Sequence, residues 1–191
     1  PTMCQDTRFL QAAIEQAQQS IELGQRLTGT PGLPIGAALA VDDTLRAVGH
    51  NQRIQKGDPI LHAEMDCLSR AGRLNAAAYA RSTLYTTLWP CKMCAGAAAL
   101  YGIRRVVCAD TGSDLAGSAL WRSTEAFLAE NKIEMVLLED IDGDDADWLR
   151  EVLVRHQEET GSQVAERLLG AWAEASHWFR KVMPTDYRRV L

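Results

Sequence analysis

No apolar stretch in the 191 residues approaches the roughly 18 that a membrane-spanning helix requires, so a soluble protein is expected. The first twenty residues, PTMCQDTRFLQAAIEQAQQS, lack the basic start, apolar centre and small-residue cleavage site of a secretory leader, which makes the cytoplasm the expected location. Cysteine is too scarce, and odd in number at five, for a disulfide framework, and reduced thiols fit better. A clustered basic face is missing as well. With a net charge of -5, paired arginines occur only at Arg104–Arg105 and Arg188–Arg189, which disfavours a long phosphate-tracking surface. No internal repeat or low-complexity tract appears. The aspartate-rich run from Asp140 to Asp147 lacks the ligand spacing and terminal glutamate of a calcium loop, and reads as a solvated turn with helix caps at Asp145 or Asp147.

What remains is an ordinary globular balance, 47% hydrophobic and 24% charged, in a chain long enough for one good core. Phe9, Leu10, Ala13, Ile14, Ala17 and Ile21 recur at helical spacing and predict a first helix ending near Gly24. After the loop TGTPGLP, the segments IGAALAV and LRAVGHN read as two strands joined by a tight turn at DDT. QRIQKGDP reads as irregular, with Pro59 leading into a helix over LHAEMDCLSRAG. There follow a strand STLYTTL, a helix opened by Pro90, a strand RRVVCA, a helix STEAFLAEN, a strand IEMVLLED and a helix DADWLREVLVRHQEE. Val164, Leu168, Leu169 and Trp172 extend helical spacing into SQVAERLLGAWAEASHWFRKVM, predicting an added C-terminal helix. The alternation implies a three-layer α/β/α domain over residues 7–155, with a helical extension over 156–191 packed on it.

Two fragments carry chemistry: LHAEM at Leu61–Met65 and WPCKMC at Trp89–Cys94. Imidazole nitrogen and thiolate sulfur are preferred zinc ligands, and three protein ligands leave a fourth tetrahedral position open. His62, Cys91 and Cys94 supply that number. Two cysteines spaced C-x-x-C at a helix N-terminus can face one ion, and the helix dipole favours their thiolate forms. Glu64, two residues beyond His62, points elsewhere on a helix, which suits a carboxylate that moves protons beside the metal instead of binding it. Cys4, Cys67 and Cys108, and the histidines His50, His156 and His177, stay outside this set.

The pair H-A-E at His62–Glu64 and P-C-K-M-C at Pro90–Cys94 resembles the signature of the cytidine/deoxycytidylate deaminase superfamily. GHNQRIQKG, AGRL, TLYTTL, CAG and YGI bring the resemblance closest to fungal-type cytosine deaminases over roughly residues 9–140. The resemblance implies a cytidine-deaminase-like α/β/α fold with a mixed five-stranded sheet and Zn2+ between two helix N-termini. His62, Cys91 and Cys94 would be ligands and Glu64 the proton shuttle. It further assigns substrate contacts to the Asn51 amide and to the backbone N–H groups of Ala63 and Cys91, and it implies a homodimer.

Two departures bear on the substrate. Trp89 stands where cytosine deaminases carry a small residue, and it would shrink the pocket or add a stacking wall. Trp178, in HWFRKV, matches a C-terminal segment that closes the pocket in such enzymes, but Lys181 occupies the place of its acidic base contact. The expected activity is zinc-dependent hydrolytic deamination of a C–N bond in a small heterocyclic amidine, cytosine first. Alternatives are guanine, creatinine or a related ring, a tRNA adenosine deaminase, and an inactive zinc-binding scaffold.

Overall fold

The structure is a computed structural model, and it describes residues 5–110 and 119–184. Cys4 and the Arg188–Arg189 pair lie outside the described residues. Two compact units divide the chain between Leu137 and Leu138.

The larger unit begins with α1 (Gln5–Thr28), whose Phe9, Leu10, Ala13, Ala17 and Gly24 are buried. The strands β1 (Gly36–Val41) and β2 (Thr44–His50) pair antiparallel around a two-residue turn, where Asp42 takes φ 51°, a region that Asp tolerates better than most residues. Within the loop that the sequence left irregular lies one short turn, α2 (Arg53–Lys56), stopped by Gly57 at φ 63°. Next come α3 (Ala63–Ala71), the short α4 (Ala76–Ala80), β3 (Ser82–Leu88), α5 (Lys92–Tyr101) and β4 (Arg105–Asp110). The strand β1 runs antiparallel to β3 with Ala37 opposite Thr86, and β3 runs parallel to β4, so the sheet is mixed. After α6 (Ala119–Glu130), β5 (Glu134–Asp140) pairs parallel to β4 and crosses the division between the units. Leu39, Leu84, Ile103, Val106, Leu128 and Leu137 form the centre of one apolar core. Gly49 lets β2 lie directly on α3, because a Cβ there would collide with the Cys67 amide nitrogen and the Ala63 carbonyl.

In the smaller unit, α7 (Gly143–Thr160) is followed by α8 (Gln163–Gly170), α9 (Trp172–Ala175), a 3-10 turn over Ser176–Trp178 and β6 (Arg180–Pro184). The sheet order is β2-β1-β3-β4-β5-β6, so six strands replace the five that the resemblance implies. A continuous C-terminal helix is likewise not formed. Gly170, a weak helix former, ends α8, Ala171 leaves helical geometry at φ -119° and ψ 34°, and Phe179 is extended at φ -91° and ψ 150°. The N-cap position expected at Asp145 or Asp147 falls instead to Asp142, whose side chain makes no capping hydrogen bond; Asp145 and Asp147 lie inside α7, and the Asp145 carboxylate pairs with Lys181. No helix among the described residues is long and apolar enough to cross a membrane.

Candidate metal and substrate site

Three strand ends and two helix starts meet along one edge of the larger unit. Gly36 at the start of β1 pairs with His50 at the end of β2, and the neighbouring Ala37 pairs with Thr86 near the end of β3. The chain leaves β2 into Asn51, and it leaves β3 through Trp89 and Pro90 into α5.

His62 and Cys91 are the N-cap residues of α3 and α5, both extended, at φ -66° and φ -72°. Neither side chain caps its helix. They turn instead toward a common point with Cys94, and the three ligand atoms lie within 4.8 Å of one another. The Cys91 Sγ is 3.6 Å from His62 Nδ1 and 3.6 Å from Cys94 Sγ. Tetrahedral zinc at ordinary bond lengths separates S and N by about 3.6 Å and two sulfurs by about 3.8 Å, so the donor set and its spacing fit the ion. The hydrogen bond shared between the sulfurs pulls Cys91 down to about 5 and pushes Cys94 upward, with burial raising Cys94 further. One proton thus serves both thiols, and a divalent cation can replace it.

Glu64 follows one residue into α3 and is 3% exposed. Burial pushes its carboxyl up to about 7, the nearby Cys91 adding to the rise, while its interaction with the Cys94 side chain works the other way. The carboxyl therefore stands beside the sulfurs without joining the ligand cluster.

Asn51 is 1% exposed and tightly held. Its N–H donates to the Ile35 carbonyl at 2.9 Å, its carbonyl accepts from Ser20 Oγ at 2.8 Å, and its Oδ1 accepts from the Arg53 N–H at 3.1 Å. That last bond is an Asx turn, which fixes the amide's orientation. The Nδ2 is left buried with no hydrogen-bond partner among the described residues. A buried amide donor without a partner is costly, and it suits a ligand that brings an acceptor.

The remaining expected site residues divide between the two units. Ala63 is the first residue of α3 and fully buried, and Trp89 is 8% exposed within the apolar core cluster. Trp178 is in the 3-10 turn of the smaller unit and is exposed, while Trp172 and Phe179 of that unit meet with ring centroids 6.1 Å apart. His50 is buried, its Nδ1 is 3.2 Å from Gln16 Oε1, and burial lowers its pKa.

Asp66 escaped the sequence reading. It is buried in the first turn of α3 and grips the segment around Asn51. The visible signal was the spacing of Asp66 and Arg70, which pair at 2.9 Å one turn apart.

A family model described as the cytidine and deoxycytidylate deaminase zinc-binding region matches residues 3–110. The chain is 43% identical over 136 residues to the cytosine deaminase of Candida albicans, covering 71% of this chain and 81% of that protein. It is 37% identical over 106 residues to a tRNA-specific adenosine deaminase of Bacillus subtilis, covering 55% of this chain and 62% of that protein. Among solved structures, Acinetobacter baumannii RibD shares 30% identity at a TM-score of 0.50, covering 70% of this chain and 35% of that one.

Proposed function

This chain belongs to the cytidine and deoxycytidylate deaminase family and is a zinc-dependent deaminase, and we propose that it acts on a free nucleobase, cytosine first, releasing ammonia. The observation that carries the reading is the buried Asn51 donor beside the ligand cluster's helix: Oδ1 is engaged by Arg53 while Nδ2 has no partner, so the amide is set to donate to a ring that presents a carbonyl oxygen or an unprotonated nitrogen. Cytosine offers both. The relative in Candida albicans, named as a cytosine deaminase and similar over 71% of this chain, supports the same choice.

In this reading His62, Cys91 and Cys94 hold the zinc, which supplies Lewis acidity and a water acidic enough to attack near neutral pH. Glu64 takes the proton released as the new C–O bond forms at the amine-bearing carbon. It passes that proton to the ring nitrogen, then takes the second proton from the new hydroxyl and gives it to the amine as the C–N bond breaks, so the balance is ring-NH2 plus water to ring-carbonyl plus ammonia. The Asn51 amide, the N–H of Ala63 at the first residue of α3 and the N–H of Cys91 at the N-cap of α5 orient the ring. Trp89, buried next to Pro90 and Cys91, sets the size of the pocket. The exposed Met93, Leu100 and Tyr101 of α5 supply an apolar face for a second copy, so a homodimer mass in solution is expected.

The test is an ammonia-release screen of nucleobases with Glu64→Gln as control. Cytosine turnover, lost about 1,000-fold or more in the variant with zinc content unchanged, supports the reading; no release from any nucleobase overturns it. Deamination of adenosine in tRNA is the second reading, favoured by the similarity to the Bacillus subtilis protein and opposed by the net charge of -5. Salt-sensitive turnover of an anticodon stem-loop would establish it.

A further inference from the structure

Asn51 is held by its own backbone to Ile35, just before β1, and to Ser20 of α1, but its position relative to α3 depends on its two neighbours. The His50 N–H donates to Asp66 Oδ2 at 3.1 Å, and Gln52 Nε2 donates to Asp66 Oδ1 at 2.5 Å. One carboxylate therefore brackets Asn51 from both sides. It is 5% exposed, and Arg70, one turn further along α3, neutralises it at 2.9 Å. Gln52 adds a second tie, its N–H donating to the Leu61 carbonyl at 2.9 Å, immediately before His62.

The same Asp66 also belongs to the metal-binding helix. Its N–H donates to the carbonyl of His62 at 2.9 Å, and Glu64 is two residues earlier. A carboxylate with both oxygens used on residues 50 and 52, and its backbone on residue 62, fixes the separation between the Asn51 amide and the groups on α3. An apolar side chain there would need no counter-charge, but it would leave the buried His50 N–H and Gln52 amide without their acceptor, so the bracket orders residues 50–52 against α3.

We propose that Asp66 is a positioning residue for the deamination step, setting the Asn51 amide against Glu64 and the metal ligands, with Arg70 as its counter-ion. It touches neither substrate nor metal and acts through Asn51. This rests on the reading of Asn51 as the substrate's donor, and the test is built to separate the two. Productive geometry tolerates displacements well below an ångström, so loosening the bracket lowers the turnover of the molecules that remain folded.

Asp66→Ala is expected to reduce kcat/KM on cytosine about 10- to 100-fold at unchanged zinc content. In an Asn51→Ala background the same substitution is expected to change kcat/KM by less than about 3-fold, because its route of action is already gone. Asp66→Asn keeps one acceptor for the His50 N–H and can accept a flipped Gln52 amide as partner, so it should recover most of the activity and serves as the folded comparison if alanine is not tolerated. Hydrogen exchange needs no substrate: Asp66→Ala should raise the exchange of residues 49–53 while residues 63–71 stay protected. Fully multiplicative effects of Asp66→Ala and Asn51→Ala, wild-type kcat/KM in Asp66→Ala, or unchanged exchange over 49–53 would overturn the proposal. Absence of cytosine turnover in the wild type defeats the substrate reading instead, and leaves the exchange experiment to decide the bracket.

Discussion

Replacing Asn51 by alanine is expected to leave the fold about as stable as before and to remove most of the activity. The structure allows both sides to be estimated. A buried amide donor without a partner costs roughly 1–3 kcal/mol, and alanine removes that cost at Nδ2. The same change takes the acceptor from the part-buried Arg53 N–H, a loss of about 0.5–1.5 kcal/mol. The backbone bonds of residue 51 to Ile35 and Ser20 do not involve the side chain and survive. Stability should therefore stay within about 1 kcal/mol of wild type or rise slightly, whereas losing one donated hydrogen bond in a water-excluded site should lower kcat/KM about 100- to 1,000-fold. Urea denaturation followed by far-UV circular dichroism, with initial rates of ammonia release from cytosine, measures the two quantities on one preparation. An alanine variant that lost more than about 2 kcal/mol, and whose activity fell only with its folded fraction, would show that Asn51 serves the turn and not the substrate.

Asp6, tied by Arg105 at 2.7 Å to each carboxylate oxygen and by Tyr85 OH at 2.8 Å, is the groundwork for a pH prediction. Burial alone would raise its pKa, but the hydrogen bonds from Arg105 and Tyr85 and the Arg105 charge outweigh it and hold the carboxyl below 3.8. A depressed folded pKa stabilises above the unfolded value and is lost as pH falls through the folded one. Asp6→Asn should thus cost about 2–3 kcal/mol at pH 7, and the gap from wild type in urea denaturation should close below about pH 4. Removing zinc with a strong chelator should abolish ammonia release and expose the half-buried Cys91 thiolate to alkylation, mapped by peptide mass, while zinc restores activity and protection. Cys67, buried and pushed up to about 12 by that burial, should remain unmodified throughout.

The parts of the site legible in the sequence are those whose geometry is local. His62 and Glu64 fall two apart at one helix start and Cys91 and Cys94 three apart at another, so the chain's own spacing sets their directions. The strands β1 and β3 are legible as short apolar or β-branched runs bounded by turn and loop residues. What escaped depends on partners far along the chain. Asp66 looks like any charge on an amphipathic helix until His50 and Gln52, 16 and 14 residues earlier, are placed against it. Asp145 reads as a cap until Lys181, 36 residues later, takes its carboxylate. The C-terminal segment keeps helical spacing through Trp172, yet Arg180 and Lys181 find Asp140 and Asp145 as partners and the chain there becomes a strand.

The helix starts show what the site costs the fold. At α4 and α8 the N-cap residues Asn75 and Ser162 accept from the third residue onward, Ala78 at 2.8 Å and Ala165 at 3.2 Å. At α3 and α5 that position is given to His62 and Cys91, which make no such bond. A serine or asparagine cap is worth about 0.5–2 kcal/mol, so each of these helices forgoes that much to aim a ligand. His62→Ser makes the exchange measurable. In chelator, where the imidazole has no ion to hold, the serine should cap α3 and raise the unfolding free energy by about 1 kcal/mol over wild type. In zinc the order should reverse, because the wild type gains the binding energy of a three-ligand site and the variant retains only two thiols. Equal stabilities in chelator, or a variant still the more stable in saturating zinc, would mean that His62 is placed for packing and that the ion, if bound, is held without it.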